Sequence, residues 1–229
     1  MTVRPGNLSW DALGVLFQSH PWHGASVGED SPRMVTSYIE IVPTDVVKYE
    51  LDKVTGLLRV DRPQRFSNVC PSLYGLVPRT LCGPRVAARA AKVALTPDLI
   101  GDDDPLDICV LTERSILHGN VLVDAIPIGG FRMIDGNEAD DKIIAVLDGD
   151  PVYGKFTELS ECPRPLVDRL RHYFLTYKQA PDQDHPSCSI AEVYGRQEAY
   201  DVILASQEDY AEVFGGLREL IASTLTARP

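Results

Sequence analysis

Hydrophobic and polar positions alternate in short segments near the start of the chain. Residues 35–42, 46–52 and 57–62 show this alternation or are rich in β-branched side chains, a pattern typical of strands with one buried face. The second and third segments are separated by Lys-Val-Thr-Gly at 53–56, which favours a tight turn. The pattern therefore predicts three strands of a β-meander, of which the last two form a hairpin.

The strand-like pattern returns further along the chain, in residues 107–113, 120–135 and 141–148. The second of these segments contains Gly129–Gly130, and glycines inside a strand are typical of a bulge or a corner that bends a sheet towards closure. More than five strands are therefore predicted, in a sheet that curls.

Helical periodicity appears in three places. Residues 85–95 are rich in alanine, which favours a short helix, whereas the rest of 71–100 is predicted to be loop. Residues 164–178 and 199–225 repeat hydrophobic side chains at helical spacing, with Gly215–Gly216 as a candidate break in the second segment. Two amphipathic helices are therefore predicted to close the chain.

No linker separates the predicted strands from the predicted helices, so the chain is expected to form one domain over 1–229. Its class is α+β and mainly β: a small curled barrel with helices packed outside it. Residues 1–33 contain many turn formers and are predicted to be an N-terminal extension that lies over this domain.

Composition narrows the class of protein. A hydrophobic content of 44% in 229 residues supports a sizeable core. The formal net charge of −11 disfavours a nucleic-acid partner, because such binding depends on Lys and Arg, and it favours a cationic ligand or metal. The five cysteines contain no Cys-x-x-Cys pair, and no apolar run approaches the ~20 residues that cross a bilayer. We therefore expect a cytoplasmic protein with no nucleic-acid partner and no membrane partner.

The most concentrated negative charge lies just before a predicted strand, in Gly-Asp-Asp-Asp-Pro-Leu-Asp at 101–107. Carboxylates this close repel one another, and each is expected to take up a proton unless a cation compensates it. Asp102 and Asp104 point to the same side if this segment is extended. Several hard oxygen ligands at one place favour Mg²⁺ or Mn²⁺ over zinc.

A second acidic cluster, Asp135, Glu138, Asp140 and Asp141, precedes Lys142 at a turn between two predicted strands. Either cluster alone is typical of a solvated loop. Two carboxylate-rich strand ends in one small domain favour a multi-metal site instead, because paired divalent ions activate a bridging water and hold phosphoryl oxygens. Cationic side chains for the phosphate are then expected nearby.

The segment 101–107 resembles the D-x-D-P-x-D signature of the family I soluble inorganic pyrophosphatases. The resemblance extends from about Tyr38 to about Lys178, and further matching features follow the family's order: Glu40, Lys-Tyr-Glu at 48–50, Arg62, Tyr-Gly at 74–75, the acidic segment 134–142 and His-Tyr-Phe-Leu-Thr-Tyr-Lys at 172–178. It implies Mg²⁺-dependent hydrolysis of pyrophosphate to two orthophosphates, with Mn²⁺ as a substitute metal, on an OB-like five-stranded closed barrel with flanking helices. It also implies a homo-oligomer.

The resemblance assigns roles to individual residues. It implies that the metals that activate water are held by Asp102, Asp107 and Asp140, and that Asp104 is the general base. On or beside the substrate-side metals it places Asp135, Glu40 and Glu50. The side chains that hold the phosphates are implied to be Lys48, Arg62, Tyr74, Lys142, Tyr177 and Lys178. Water then attacks directly, without a covalent enzyme intermediate.

Three features depart from the family pattern. Cys70 stands where many members have tyrosine, and Gly136 stands where relatives often have glutamate, for which Glu138 is a candidate substitute. The segment 80–100 is longer than in the compact bacterial members and is interpreted as an insertion.

Other polar features receive structural interpretations. Arg85, Arg89 and Lys92 share one face of a predicted helix, which we expect to be solvated, with substrate steering or a subunit contact as alternatives. His20 and His23 are expected to be surface residues, because no third metal ligand lies near them in sequence.

Two other functions stay open at this point. One is a non-catalytic OB-type module that binds DNA, RNA or a divalent ion, which the negative charge disfavours. The other is a broader phosphohydrolase that acts on nucleoside phosphates.

Overall fold

The computed structural model describes residues 19–96, 98–180 and 187–226. The strands of the first half and the helix among them are β1 (Val35–Ile41), β2 (Val47–Leu51), β3 (Leu58–Pro63), β4 (Leu73–Leu76), α1 (Pro84–Ala94), β5 (Ile100–Gly101) and β6 (Asp107–Leu111). The second half contains β7 (Val121–Asp135), β8 (Glu138–Ala139), β9 (Lys142–Leu147), a 3-10 turn at Leu159–Glu161, α2 (Arg164–Thr176), β10 (Cys188–Gly195) and α3 (Arg196–Thr226).

Five strands form a closed ring. β1 pairs with β4, β4 with β6, β6 with β9, β9 with β7, and β7 returns to β1. All of these pairs are antiparallel except β6–β9, which is parallel. The predicted OB-like five-stranded barrel is therefore confirmed. β2 and β3 form the predicted hairpin, as a separate two-stranded sheet.

The ring closes because β7 is long and bent. Its first half pairs with β1 and its second half with β10, and the pairing with β9 shifts register between Pro127 and Gly129. A Cβ at Gly130 would lie 2.5 Å from the ring of Tyr194, so only glycine allows β10 to approach this closely. The bulge expected at Gly129–Gly130 is confirmed.

Alternate residues of the barrel strands face two cores. Ile108 and Val110 of β6 pack in a cluster with Val202 and Ile203 of α3. Residues of opposite orientation, such as Cys109, pack instead in a cluster that contains the α2 side chains Leu170, Tyr173 and Phe174. The periodicity that predicted α2 therefore reflects its buried face.

Helix α1 obtains its N-terminal cap from a distant helix. Gly83 precedes α1 and offers no side chain, and the carboxylate of Asp209 in α3 accepts hydrogen bonds from the backbone N–H groups of Gly83, Arg85 and Val86 at 3.0–3.3 Å. Asp209 is 1% exposed. Because a carboxylate stabilises the N-terminal end of a helix, this contact fixes α1 against α3.

The expected solvated face of α1 holds for Arg85 and Lys92, which are exposed, whereas Arg89 is half-buried, and both arginines form ion pairs. Arg85 pairs with Asp209 at 2.9 Å and with Glu212 at 2.6 Å, and Arg89 pairs with Glu198 at 2.5 Å. Lys92 is exposed and has no such ion pair among the described residues. The acidic face of α3 supplies the partners, which the local pattern of α1 does not show.

Four strands lie where none was expected: β4, β10 and the two-residue strands β5 and β8. β4 falls inside 71–100, and its pairing depends on Gly75, where a Cβ would lie 1.9 Å from the carbonyl oxygen of Tyr38. β10 separates the two closing helices and pairs only with β7 among the described strands. In addition, α3 runs through Gly215–Gly216 without a break.

Of the expected N-terminal extension, residues 1–18 lie outside the described residues. The remainder packs against α3: Trp22 is 4% exposed, stacks on His23 with ring centroids 4.4 Å apart, and contacts Phe214. His23 lies 2.9 Å from the hydroxyl of Tyr210, and His20 is buried. The expectation of surface histidines is therefore wrong, because aromatic contacts with α3 enclose this segment.

Within the described residues, no helix combines the length and the apolar character needed to cross a membrane.

Candidate active site

A cleft of about 250 Å³ opens at one rim of the barrel, between the β2–β3 hairpin, the turn before β6 and the end of α2. Every site residue predicted above except Arg62 lines it: Glu40, Lys48, Glu50, Tyr74, Asp102, Asp104, Asp107, Asp135, Asp140, Lys142, Tyr177 and Lys178. Side chains separated by up to 138 positions are thus brought to one place by closure of the ring.

The parallel pairing of β6 and β9 sets the centre of the cleft. Asp107 and Lys142 are register partners at the first positions of these strands. The ammonium group of Lys142 contacts the carboxylates of Asp107 and Asp140, and the hydroxyl of Tyr74 donates to Asp107 at 2.6 Å. Burial alone would lower the pKa of Lys142, but Asp107 and Asp140 raise it well above its usual value. The ammonium group therefore stays charged.

The acidic segment before β6 is a turn and not an extended entry. Asp103 has φ +58°, in the left-handed region, and the backbone N–H of Asp104 donates to the carboxylate of Asp102 at 2.9 Å. The turn is held against Cys82, whose N–H donates to the carbonyl of Asp104 at 2.8 Å. Asp102 and Asp104 both line the cleft, as expected, but they do so from a turn and not from an extended segment.

Three carboxyl groups of the cleft have raised pKa values. Burial and the charge of Asp140 raise the pKa of Asp102 to about 8, and burial and the charge of Asp107 raise the pKa of Glu40 to about 8. Burial also raises the pKa of Asp107, although Lys142 opposes this. Burial is the largest cause of each shift, and a bound cation would favour the ionised forms.

The donor set fits a hard divalent cation. Asp102 and Asp140 share a hydrogen bond between their carboxyl groups, so they lie where one cation would replace a proton. As the side chains stand, no three acidic, histidine or cysteine residues within 19–96, 98–180 and 187–226 surround one point closely enough to hold a metal. Lys142 occupies the space between Asp107 and Asp140, so metal binding requires its ammonium group to move towards an anion.

Two further cationic groups line the cleft. Lys178 contacts Asp135. Burial acts to lower the pKa of Lys178, but the carboxylate of Asp135 outweighs burial and the pKa is raised. Lys48 lies 3.2 Å from Asp61 and 3.5 Å from Glu50. Each lysine is therefore held by a carboxylate that a phosphate would replace.

Arg62 is placed apart from the other predicted residues. It is the register partner of Lys48 in the hairpin, and its guanidinium contacts Asp61, but it does not line the cleft. The hairpin thus keeps Arg62 beside the cleft and not inside it.

Lys53 is a cleft residue that the sequence analysis missed. It lies at the turn of the β2–β3 hairpin, and its ammonium group contacts the carboxylate of Asp104. His20 contacts this turn, because its Nε2 lies 3.2 Å from the carbonyl oxygen of Lys53. The only signal in the sequence was a lysine in a turn directly after Lys-Tyr-Glu, and the contact with Asp104 depends on how the hairpin folds over the barrel.

The structure shows the surroundings of two of the three departures from the family pattern. Gly136 has φ +60° at the β7–β8 turn, a conformation that favours glycine over glutamate, and Glu138 lines the cleft. Cys70 is fully buried beneath α2, where it interacts with the hydroxyl of Tyr173, and it does not line the cleft.

A closed five-stranded barrel, with clustered carboxylates and lysines in one rim cleft, fits a hydrolase of small phosphate compounds. The comparisons with known proteins identify the family. The family model described as inorganic pyrophosphatase matches residues 37–211. The chain belongs to this family, the soluble inorganic pyrophosphatases of family I.

Individual relatives agree. An inorganic pyrophosphatase of Chlamydia caviae is 51% identical over 199 residues, which cover 85% of this chain and 92% of the relative. The soluble inorganic pyrophosphatase 2 of Chlamydomonas reinhardtii is 38% identical and covers 85% of this chain and 90% of its own. The crystal structure of inorganic pyrophosphatase from Thermus thermophilus aligns with a TM-score of 0.70 at 25% identity, covering 84% of this chain and 99% of that one.

Proposed function

We propose that this inorganic diphosphatase hydrolyses pyrophosphate to two orthophosphates in a Mg²⁺-dependent reaction, with Mn²⁺ as a substitute, by direct attack of water. The observation that supports the proposal most is that one cleft brings together three clustered carboxylates, Asp102, Asp107 and Asp140 (called the acidic wall), and three lysines, Lys48, Lys142 and Lys178 (called the cationic wall), with Lys142 in contact with Asp107 and Asp140. Pyrophosphate carries several negative charges, and only a site that supplies both bound cations and lysines neutralises them.

The acidic wall holds the metals. Asp102, Asp107 and Asp140 are proposed to bind the pair next to the attacking water, and Glu40, Glu50 and Asp135 to bind or flank the metals on the substrate side. When bound, divalent cations lower the pKa of water and polarise the phosphoryl oxygens. Glu40 is fixed for this role, because its carboxylate accepts a hydrogen bond of 2.6 Å from the backbone N–H of Leu51.

Asp104 is proposed to take the proton from the attacking water. It lies at the edge of the acidic wall, and its recorded partner is the ammonium group of Lys53 and not another carboxylate. No covalent intermediate is needed, since the water attacks phosphorus directly.

The cationic wall orients the substrate. Lys48, Lys142 and Lys178 are proposed to exchange their carboxylate partners for phosphate oxygens, with Tyr74 and Tyr177 donating hydrogen bonds. Arg62 is proposed to reach the phosphate by breaking its contact with Asp61. Each exchange replaces one charge-assisted contact by another, so binding costs little electrostatic energy.

Phosphate release measured from pyrophosphate and from ATP, with Mg²⁺ and with excess chelator, tests the proposal. We expect release from pyrophosphate with Mg²⁺, far less from ATP, and none in chelator. Comparable rates on ATP would identify the broader phosphohydrolase. A folded protein that binds Mg²⁺ but releases phosphate from neither compound would identify the binding module. Lys155→Met, on an exposed loop outside the cleft, serves as the control.

We also infer from the family that the chain is a single domain over 1–229, cytoplasmic, and part of a homo-oligomer. Light scattering on the purified full chain tests the last point: a mass near 25.2 kDa would contradict it.

A further inference from the structure

A buried ion network lies directly behind the cleft. The carboxylate of Asp141, which is 0% exposed, accepts a hydrogen bond of 2.6 Å from the guanidinium of Arg132 and one of 3.0 Å from the hydroxyl of Tyr194. Arg132 is 1% exposed and its guanidinium lies 4.9 Å from the ring centroid of Tyr194. The three side chains thus form a closed cluster in the α3 side of the core.

The network continues to both helices on that side. The second terminal nitrogen of Arg132 contacts Glu198, in the first turn of α3. Glu198 in turn accepts hydrogen bonds from Arg89 of α1 at 3.1 Å and 2.5 Å. Strand β7, helix α3 and helix α1 are therefore linked in series to Asp141.

Asp141 stands between two residues of the cleft. Its neighbours Asp140 and Lys142 line the cleft, whereas its own side chain faces the opposite way, as alternation along extended backbone requires. The same three residues therefore have one side in the cleft and the other in the ion network. Any shift of Asp141 moves the carboxylate of Asp140 and the ammonium group of Lys142.

Stability alone does not account for this cluster. Replacing a buried ion pair by apolar side chains of similar volume is often neutral or stabilising, because desolvation offsets the attraction. Here Nε of Arg132 and Oδ1 of Asp141 have no hydrogen-bond partner among the described residues, so the cluster is not optimised as a source of stability. Its directional bonds do fix the orientation of the strand entry.

We propose that Asp141 and Arg132 are positioning residues, which hold Asp140 and Lys142 in the arrangement that binds Mg²⁺ and phosphate. The proposal rests on the function proposed above. Residues that orient metal ligands without touching the metal typically change metal affinity or activity by about 10- to 100-fold when replaced. Arg132 is held in turn by Glu198, which accepts hydrogen bonds from Arg89.

The test compares the parent with the variant Arg132→Met/Asp141→Val/Tyr194→Phe, which removes all three polar partners together and leaves no buried charge unpaired within the cluster. Asp141→Asn, which keeps the size and the contact with Tyr194, is the second variant. Mg²⁺ binding is measured by calorimetry without substrate, and kcat and KM for pyrophosphate are measured separately. Asp209→Asn is the control, because it weakens the α1–α3 contact but does not touch Asp141 or Arg132.

We expect the triple variant to melt at or above the parent temperature and to bind Mg²⁺ about 10- to 100-fold more weakly, with Asp141→Asn changed in the same direction. The control should lose melting temperature while keeping Mg²⁺ affinity. The proposal is overturned if either variant, measured below its melting temperature, keeps the parent's Mg²⁺ affinity and kcat/KM. It is also overturned if the control loses Mg²⁺ affinity as much as the variants do. A parent that releases no phosphate would instead contradict the proposed function.

Discussion

The cleft and the network behind it both bury carboxylates, but the partners of these carboxylates differ. In the cleft, burial and neighbouring carboxylates raise the pKa of Asp102 and Glu40 to about 8. In the network, burial raises the pKa of Asp141 to about 7 although Arg132 opposes it, whereas hydrogen bonds from Arg89 and Arg132 outweigh burial at Glu198 and lower its pKa. Arginines of the chain therefore offset part of the effect of burial at Asp141 and all of it at Glu198, whereas Asp102 and Glu40 have other carboxylates as neighbours.

This difference separates binding from folding. Carboxylates whose partners are arginines of the same chain hold elements together whether or not a ligand is present. Carboxylates that repel one another destabilise the folded chain until a cation binds. Binding of the cation is favoured because it relieves that repulsion. Substitutions in the two regions should therefore change different measured quantities.

The largest effect is expected from Asp104→Asn and Asp107→Asn in the cleft. If Asp104 is the general base, its replacement lowers kcat by about 10²–10⁴-fold and leaves Mg²⁺ titration nearly unchanged. Asp107→Asn should weaken Mg²⁺ binding together with the rate, because it removes a ligand charge. Calorimetry beside pyrophosphate turnover separates them. If the two variants weaken Mg²⁺ binding equally, Asp104 is a ligand and the base lies elsewhere.

The next largest effect is expected outside the cleft, from Asp209→Ala. The variant leaves the first backbone N–H groups of α1 and the guanidinium of Arg85 without their carboxylate, and hydrogen bonds to a charged group contribute about 1.5–3 kcal/mol. We expect the free energy of unfolding to fall by roughly that amount, measured by urea titration, while kcat stays at the parent value. A matched loss of kcat and stability would show that α1 does not merely support the fold.

A smaller effect is expected from the pH dependence of stability. The pKa of Glu198 is lower in the folded chain than its ordinary value of 4.5. Ionised Glu198 therefore contributes fully to the free energy of unfolding above pH 4.5, and this contribution is lost as the pH falls through the folded-state pKa. Melting temperatures measured at falling pH should therefore drop more steeply for the parent than for Glu198→Gln, which has no such proton to take up. Parallel curves for the two proteins would contradict the assignment.

The smallest effect is expected from Lys53→Met at the edge of the cleft. Lys53 is partly exposed and meets Asp104 across the cleft mouth, so its charge acts mainly on the approach of an anionic substrate. We expect KM for pyrophosphate to rise about 3- to 10-fold at low salt and the difference to shrink at high salt, where charges are screened. Steady-state kinetics at two ionic strengths measure this, with Lys155→Met as the matched control. A fall in kcat that salt does not affect would place Lys53 in the chemical step.

The barrel was predictable where segments alternate or are rich in β-branched side chains. β1 alternates in part, β6 and β9 are apolar runs that contain Ile and Val, and the bulge in β7 lies beside its two glycines. β4 was not predictable in this way, because it has four residues and depends on the contact of Gly75 with the backbone of Tyr38. Tertiary approach, and not local preference, makes that segment a strand.

The candidate site was predictable to the extent that motifs carry it. The order of acidic and basic segments located almost all of the cleft residues, although Arg62 lies outside the lining. Lys53, Arg132 and Asp141 were not recognised, because their contacts join segments that sequence spacing does not relate. Asp141 in particular looked like one more member of an acidic cluster, and only the direction of its side chain distinguishes it.

The cap of α1 has a consequence for the order of folding during synthesis. The groups that Asp209 satisfies lie 123–126 positions earlier in the chain. A ribosome therefore releases every strand of the barrel before it releases the residue that completes α1. Until residue 209 has been synthesised, the first backbone N–H groups of α1 lack this carboxylate, so we expect this helix end to open more readily in a chain that stops before residue 209.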